Sequence, residues 1–276
     1  MDSSCVRLIM EKEIQDAGRS RWFLLLSVMF AGLALMLTSL GASALGAVGA
    51  GGFGRTTVSL LNLVVLIVPL MGLLAAATSL AGEREHGTLA TILAQPVVLE
   101  EVLLGKFLGV AAALLGTVLV GFGLAALLIA RQGAFPQAGS YLSLVAYTGL
   151  FALGYVSLGF LISALTRKSA TAVGVALFAW LASTFLSDLG LIGTALVLRL
   201  SPRVLLWLSL ANPAQVFKVA VLDGIRRNLE SLGPAGMYAA EVFGGWLQPA
   251  LILVLVLWAV VPLLLSMLVL SRRGAA

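Results

Sequence analysis

Residues 81–97 read AGEREHGTLATILAQPV and lie between two long apolar runs. Three charges and the chain's only histidine stand side by side at 83–86, followed by Gly87, a short stretch with apolar residues at helical spacing, and Pro96. The flanks set the fold class. Upstream, 58–80 carries no charge; downstream, 102–130 carries only Lys106. Both exceed the roughly 20 helical residues that cross a hydrocarbon layer of about 30 Å. The polar stretch therefore reads as a short connector between two membrane helices.

The same pattern continues outward. The chain has 276 residues, 61% hydrophobic and 11% charged, with a mean hydropathy of +1.09. Soluble chains carry about 25% charged residues. Six spans are expected, at about 22–44, 58–80, 102–130, 141–164, 169–188 and 248–270, in one all-α polytopic membrane domain covering 1–276. The alternating segments of roughly 10 residues typical of a transmembrane barrel are not seen. Net charge +5 does not imply nucleic acid, because the basic residues stand at helix ends. Cys5, the lone cysteine, excludes an internal disulfide.

Residues 4–18 form an amphipathic pattern. Val6, Ile9, Met10, Ile14 and Ala17 share one face, opposite Arg7, Glu11, Lys12, Gln15 and Asp16. Joined to a span through Arg19, Arg21 and Trp22, such a helix is expected at the membrane interface. The run from Trp22, followed by Ala42, Ser43 and Ala44, mimics a leader with its cleavage site. Acidic residues precede it and it is too long for that role, so a first membrane helix is expected instead. With the N-terminus inside, ten Lys and Arg fall on the cytoplasmic side and two, Arg55 and Arg131, in the short outer loops. Both termini are therefore expected on the cytoplasmic side.

Residues 189–247 are harder to place. Arg199, Pro202 and Arg203 would fall mid-membrane in a straight span, at roughly 2.5–3.5 kcal/mol per arginine. Short outer-face or re-entrant helices, broken at Gly190, Gly193 and Pro202, are expected. After Asn212 and Pro213 an amphipathic pattern resumes, with Leu222, Ile225, Leu229 and Leu232 opposite Arg226, Arg227 and Glu230. Asp188, near the outer end of its span, reads either as a helix-end carboxylate in water or as a gating or partner contact.

Within the connector, 83–86 extends the preceding helix and Gly87 can end it in the left-handed conformation. Thr88 is suited to N-cap a short helix with Leu89, Ile92 and Leu93 on one face and Thr91 and Gln95 elsewhere. Pro96 ends it, and Glu100 and Glu101 open the next helix at its favourable end, with Lys106 just inside. Physical chemistry leaves two readings: an ordinary capped loop, or an apolar ridge that docks in a partner's groove.

The order E-x-E-x-G-T-L…L…P-V, here EREHGTLATILAQPV, followed by LLGK at 103–106, resembles the permease subunits of ABC-2 type (type V) transporters. EKEIQDAGRSRW resembles that family's elbow helix. The resemblance implies that 83–97 is a coupling helix seated on a cytoplasmic ATPase subunit. Glu83, Arg84, Glu85, His86, Gly87, Thr88, Leu89, Ile92, Leu93, Pro96 and Lys106 would form that interface. It further implies a second copy of the chain, two ATPase copies, and ATP and Mg bound by the ATPase, with no cofactor on this chain.

RSRW, LTRKSATAVGVAL and SLANPAQVFKVAVLDG narrow the resemblance to the permease branch of the nitrous-oxide-reductase maturation system. That branch implies a periplasmic copper-handling partner in copper-site assembly. Asp188, Asn212, Pro213, Phe217, Leu222, Ile225 and Leu229 would meet this partner on the outer face. The alternative within the family is an exporter of a lipid, peptide, drug or ion.

Sites for chemistry are few. No G-x-x-x-x-G-K-[ST] is present, so a nucleotide must bind elsewhere. One histidine rules out H-E-x-x-H and multi-histidine metal sites, and its place in the connector is unsuited to an intramembrane Ser–His dyad. Met29 and Met36, two turns apart, could offer thioethers to copper(I), but they also read as lipid-phase filler. A non-catalytic subunit is expected.

Overall fold

The computed structural model describes residues 3–48, 51–89, 97–131, 138–186, 188, 202–224 and 243–273. All regular structure among them is helical. In chain order the helices are α1 (Ser3–Arg19), α2 (Arg21–Val48), α3 (Gly51–Glu85), α4 (Leu99–Arg131), α5 (Ala138–Leu165), α6 (Ser169–Leu181), α7 (Pro202–Leu210), α8 (Pro213–Gly224) and α9 (Leu247–Arg273). A π-turn, Ala182–Leu186, extends α6, and a 3₁₀ turn, Gly244–Trp246, leads into α9. Helices α2, α3, α4, α5, α6 and α9 are long and apolar enough to cross a bilayer.

Helix α3 is the centre of the bundle. Its apolar window is 72% buried, against 22% for α2 and α9 and 17% for α6. It packs on α2, α4, α5 and α6, while α5 also carries α9. Small residues allow this density. A Cβ on Gly159 would lie 2.6 Å from Ala76 Cβ and 3.0 Å from the Leu73 carbonyl, so α5 can approach α3 only with glycine there. At that crossing the Ser163 hydroxyl donates to the Ala77 carbonyl at 2.7 Å and accepts from the backbone N–H groups of Leu80 and Ala81. Without lipid-phase hydrophobic driving force, such close packing and inter-helix hydrogen bonds hold the bundle. Leu24, Met29, Met36, Phe178, Leu253 and Leu264 point outward from α2, α6 and α9, as expected of lipid-facing surfaces.

Among the described residues between α6 and α9, no helix is long enough to make a straight span. Helices α7 and α8 meet at 108° across a short break. Pro202 opens α7 and Pro213 opens α8, where a missing N–H costs nothing. The Asn212 Oδ1 accepts from Ala214 N–H at 2.9 Å, capping α8, and its Nδ2 donates to the Ser183 carbonyl in the π-turn at 2.8 Å. The expected breaks at Gly190 and Gly193 lie outside the described residues, as do Ile225, Leu229 and Leu232.

Candidate functional site

Helix α3 continues through Glu85 at the connector end of the bundle, and Gly87 follows with φ +73°. That left-handed residue stops the helix. The Thr88 hydroxyl donates back to the Glu83 carbonyl at 3.1 Å and closes the end of α3; the N–H groups it is expected to cap, from residue 90 on, lie outside the described residues. Leu89 is 1% exposed and joins the bundle core. It is a packing residue, which corrects the expectation of an outward ridge at this position. Ile92, Leu93 and Pro96 lie outside the described residues.

Each charged side chain of the connector holds a different helix. Arg84 donates to the Thr166 carbonyl at 2.9 Å and the Ala164 carbonyl at 3.4 Å, at the C-terminal end of α5. Glu85 Oε2 accepts from the Ser169 N–H at 2.8 Å, at the start of α6. A cation thus meets the negative end of one helix and an anion the positive end of the next. His86 turns back on its own helix, with Nδ1 2.7 Å from the Gly82 carbonyl. At the other end of the connector, Glu101 Oε2 accepts from Val98 N–H at 3.3 Å, a capping-box contact that starts α4.

Glu83 reaches two further helices. Its Oε1 lies 2.8 Å from Lys106 Nζ of α4 and 3.1 Å from Lys12 Nζ of α1. Lys106 also donates to Glu13 Oε1 of α1 at 2.5 Å and to Ser79 Oγ at 3.2 Å, and Ser79 donates to Glu13 Oε2 at 3.2 Å. The Lys106 and Glu13 side chains are only 2% and 10% exposed, while Lys12 is 55% exposed. Buried charges persist only when paired and hydrogen-bonded; every charge of this cluster has an opposite partner, although Glu83 Oε2 is buried without a hydrogen bond among the described residues. Partial burial works to lower the Lys12 ammonium. The Glu83 hydrogen bond and charge, with Glu13 and Asp16 nearby, outweigh it and hold the group above its ordinary value.

Glycines bring α1 this close. Gly105 and Gly109 stand four apart on the α4 face that meets α1. A Cβ on the first would lie 2.8 Å from Ile9 Cβ, and on the second 2.5 Å from Glu13 Cβ. This is the small-xxx-small arrangement of close membrane-helix crossings. Elsewhere on α4, Gly121 sits against the Phe30 ring, whereas Gly116 and Gly123 face open space. The face of α1 turned to α4 also differs from expectation. Glu13 is buried on it, and Ile14 is exposed.

At the far end of the bundle, Asp188 pairs with Lys218 at 2.7 Å and accepts a hydrogen bond from Gln215. Phe217 is fully buried and stacks on Phe151 with centroids 4.4 Å apart. Pro213 is buried and Leu222 half-buried. Pro213 and Phe217 therefore seat the bent pair in the bundle, which corrects their assignment to an outer-face contact surface. The sequence reading missed Glu13, Lys12, Ser79 and Lys218. The four-residue spacing of Gly105 and Gly109 is the one signal that could have found the α1 contact. Among the described residues, no group of three or more His, Cys, Asp or Glu side chains could hold a metal ion.

Comparison with known proteins agrees with this architecture. Residues 7–275 match the family described as ABC-2 family transporter protein. The chain is 32% identical over 273 residues to the probable ABC transporter permease protein NosY of Stutzerimonas stutzeri, covering 96% of this chain and 97% of that one. It is 35% identical over 222 residues to the protein of the same name from Pseudomonas aeruginosa, covering 78% and 81%. With the match running almost end to end over a helical bundle of membrane-spanning length, the chain belongs to the ABC-2 family of transporter permeases.

Proposed function

We propose that this permease converts ATP hydrolysis by a separate cytoplasmic ATPase into motion across the membrane, with residues 83–97 as the coupling segment. One observation carries the reading. Glu83, Arg84 and Glu85 bind side chains of α1 and α4 and the facing ends of α5 and α6. A displacement of the connector must therefore displace four other helices, and this is the mechanical property a coupling element needs. The segment holds no nucleotide-binding motif of its own, so ATP and Mg belong to the partner ATPase and the permease is non-catalytic. Two permeases and two ATPases make the working unit, with both permease termini cytoplasmic in a bacterial inner membrane.

The relatives' name and the sequence resemblance support placing the transporter in copper-site maturation of nitrous oxide reductase. There it would pass movement to a periplasmic copper-handling partner. Asp188 and Asn212 tie the bent α7–α8 pair to the end of α6, which gives that movement a route to the far side.

The test is co-purification of the ATPase with an Ile92→Asp, Leu93→Asp variant. Both residues stand on the expected docking ridge, whereas Leu89 is a core residue. Loss of the ATPase from a folded permease is expected; retention with unchanged coupling refutes the docking reading. In the intact host, deletion of the permease is expected to leave nitrous oxide reductase deficient in copper. A fully loaded enzyme would favour export of another cargo.

A further inference from the structure

We infer that Glu13 of α1 is a positioning residue of the coupling segment, so that α1 moves with the connector and is not only an anchor at the membrane surface. The inference rests on the coupling reading and deepens it. Its basis is the asymmetry of the charge cluster. Both oxygens of Glu13 are engaged, Oε1 by Lys106 of α4 and Oε2 by Ser79 of α3. Glu83 offers one oxygen, Oε1, which is shared between Lys106 and Lys12. Glu13 is thus the fixed member and Glu83 the movable one. Both lysines that hold Glu83 lead back to α1: Lys12 belongs to it, and Lys106 is bound to its Glu13.

The backbone contact leaves α1 little freedom to slip. Its Ile9, Met10 and Glu13 lie over Gly105 and Gly109, at distances where even a Cβ on α4 would collide. A push that moves Glu83 is therefore delivered to α1 by charge and to α4 by contact. Architecture alone does not require this chemistry. Replacing a buried ion pair with apolar groups of similar volume is commonly neutral or stabilising, whereas leaving one partner unpaired is costly. A double apolar replacement therefore separates a structural role from a transmitting one.

The experiment uses the full permease with its ATPase in lipid nanodiscs, with a fluorescent probe on Cys5, the chain's only cysteine and a residue of α1. In the unaltered chain the probe is expected to change signal when ATP binds. In the Glu13→Leu, Lys106→Met variant the complex is expected to assemble, and the signal change to fall about tenfold. An undiminished signal in that variant overturns the inference. So does a silent probe in the unaltered complex, although docking of the ATPase would then still stand. Failure of the ATPase to dock on the unaltered permease removes both readings. Should the double variant fail to assemble, Ser79→Ala removes one Glu13 hydrogen bond and no charge. It is expected to weaken the response about threefold, and an unchanged response overturns the inference equally.

Discussion

Lys106→Met is the sharpest test of how the connector end is held together. The ammonium sits 2.5 Å from Glu13 Oε1 and 2.8 Å from Glu83 Oε1 and is almost wholly buried. At an effective dielectric of about 20, one such contact is worth roughly 6–7 kcal/mol before desolvation is subtracted. Removing one partner of a buried pair costs about 3–5 kcal/mol, because the other charge stays buried. After Lys106→Met, Glu83 keeps Lys12 and Glu13 keeps only the Ser79 hydroxyl. A loss of about 3–5 kcal/mol is therefore expected.

Glu13→Leu is milder, about 1–3 kcal/mol, since Lys106 retains Glu83. The double variant removes one charge of each sign and leaves the exposed Lys12–Glu83 pair, so its cost should fall to within about 1 kcal/mol of the native chain. The coupling between the two sites is then at least about 3 kcal/mol. Equilibrium unfolding in mixed micelles, on the four members of the cycle, measures each term. Two results refute the reasoning: Lys106→Met costing less than about 1 kcal/mol, or a double variant costing the sum of the singles.

Other positions give independent checks. Gly109→Leu drives a side chain into Glu13 Cβ and the Met10 carbonyl; it should cost about 1–3 kcal/mol and speed maleimide labelling of Cys5 as α1 lifts from α4. Glu85→Ala removes the acceptor at the start of α6; about 1 kcal/mol should be lost, with faster proteolysis at 166–168. Asn212→Ala removes both the α8 cap and the link to Ser183; about 2 kcal/mol of thermal stability should go, read as a lower melting temperature in nanodiscs. Lys12 titrates above its ordinary 10.5 in the folded chain. Its contribution is thus fully present below that value and is lost as pH rises through the higher folded value. Stability measured from about pH 9 to about pH 12 should fall less steeply in Lys12→Gln than in the native chain.

The membrane helices were readable from residues alone because lipid imposes one rule on every span. A run of about 20 apolar residues has no other low-energy place, and its charged flanks mark where it ends. The connector's helix stop was readable for a similar reason: Gly87 is the residue best suited to a left-handed backbone, and the chain adopts one there. The bent pair was half-readable. One proline and two central arginines argued against a straight span, but the 108° turn and its seating by Phe217 on Phe151 depend on packing between distant residues.

Composition and local pattern, then, determined by themselves that this is a multi-span helical protein with one charged connector at 81–97. They could not say what the charges of that connector do. Read alone, 83–86 offers a solvated surface. In the folded chain Glu83, Arg84 and Glu85 turn inward and sideways to other helices, meeting Lys12, Thr166 and Ser169 at separations of 71, 82 and 84 positions. Only the tertiary structure decided this. A helix-end charge is satisfied equally well, in sequence terms, by water or by another helix, and the choice depends on which ends packing brings within hydrogen-bond reach. Glycines at 105 and 109 and a serine at 163 brought these ends together, through contacts that no local periodicity contains.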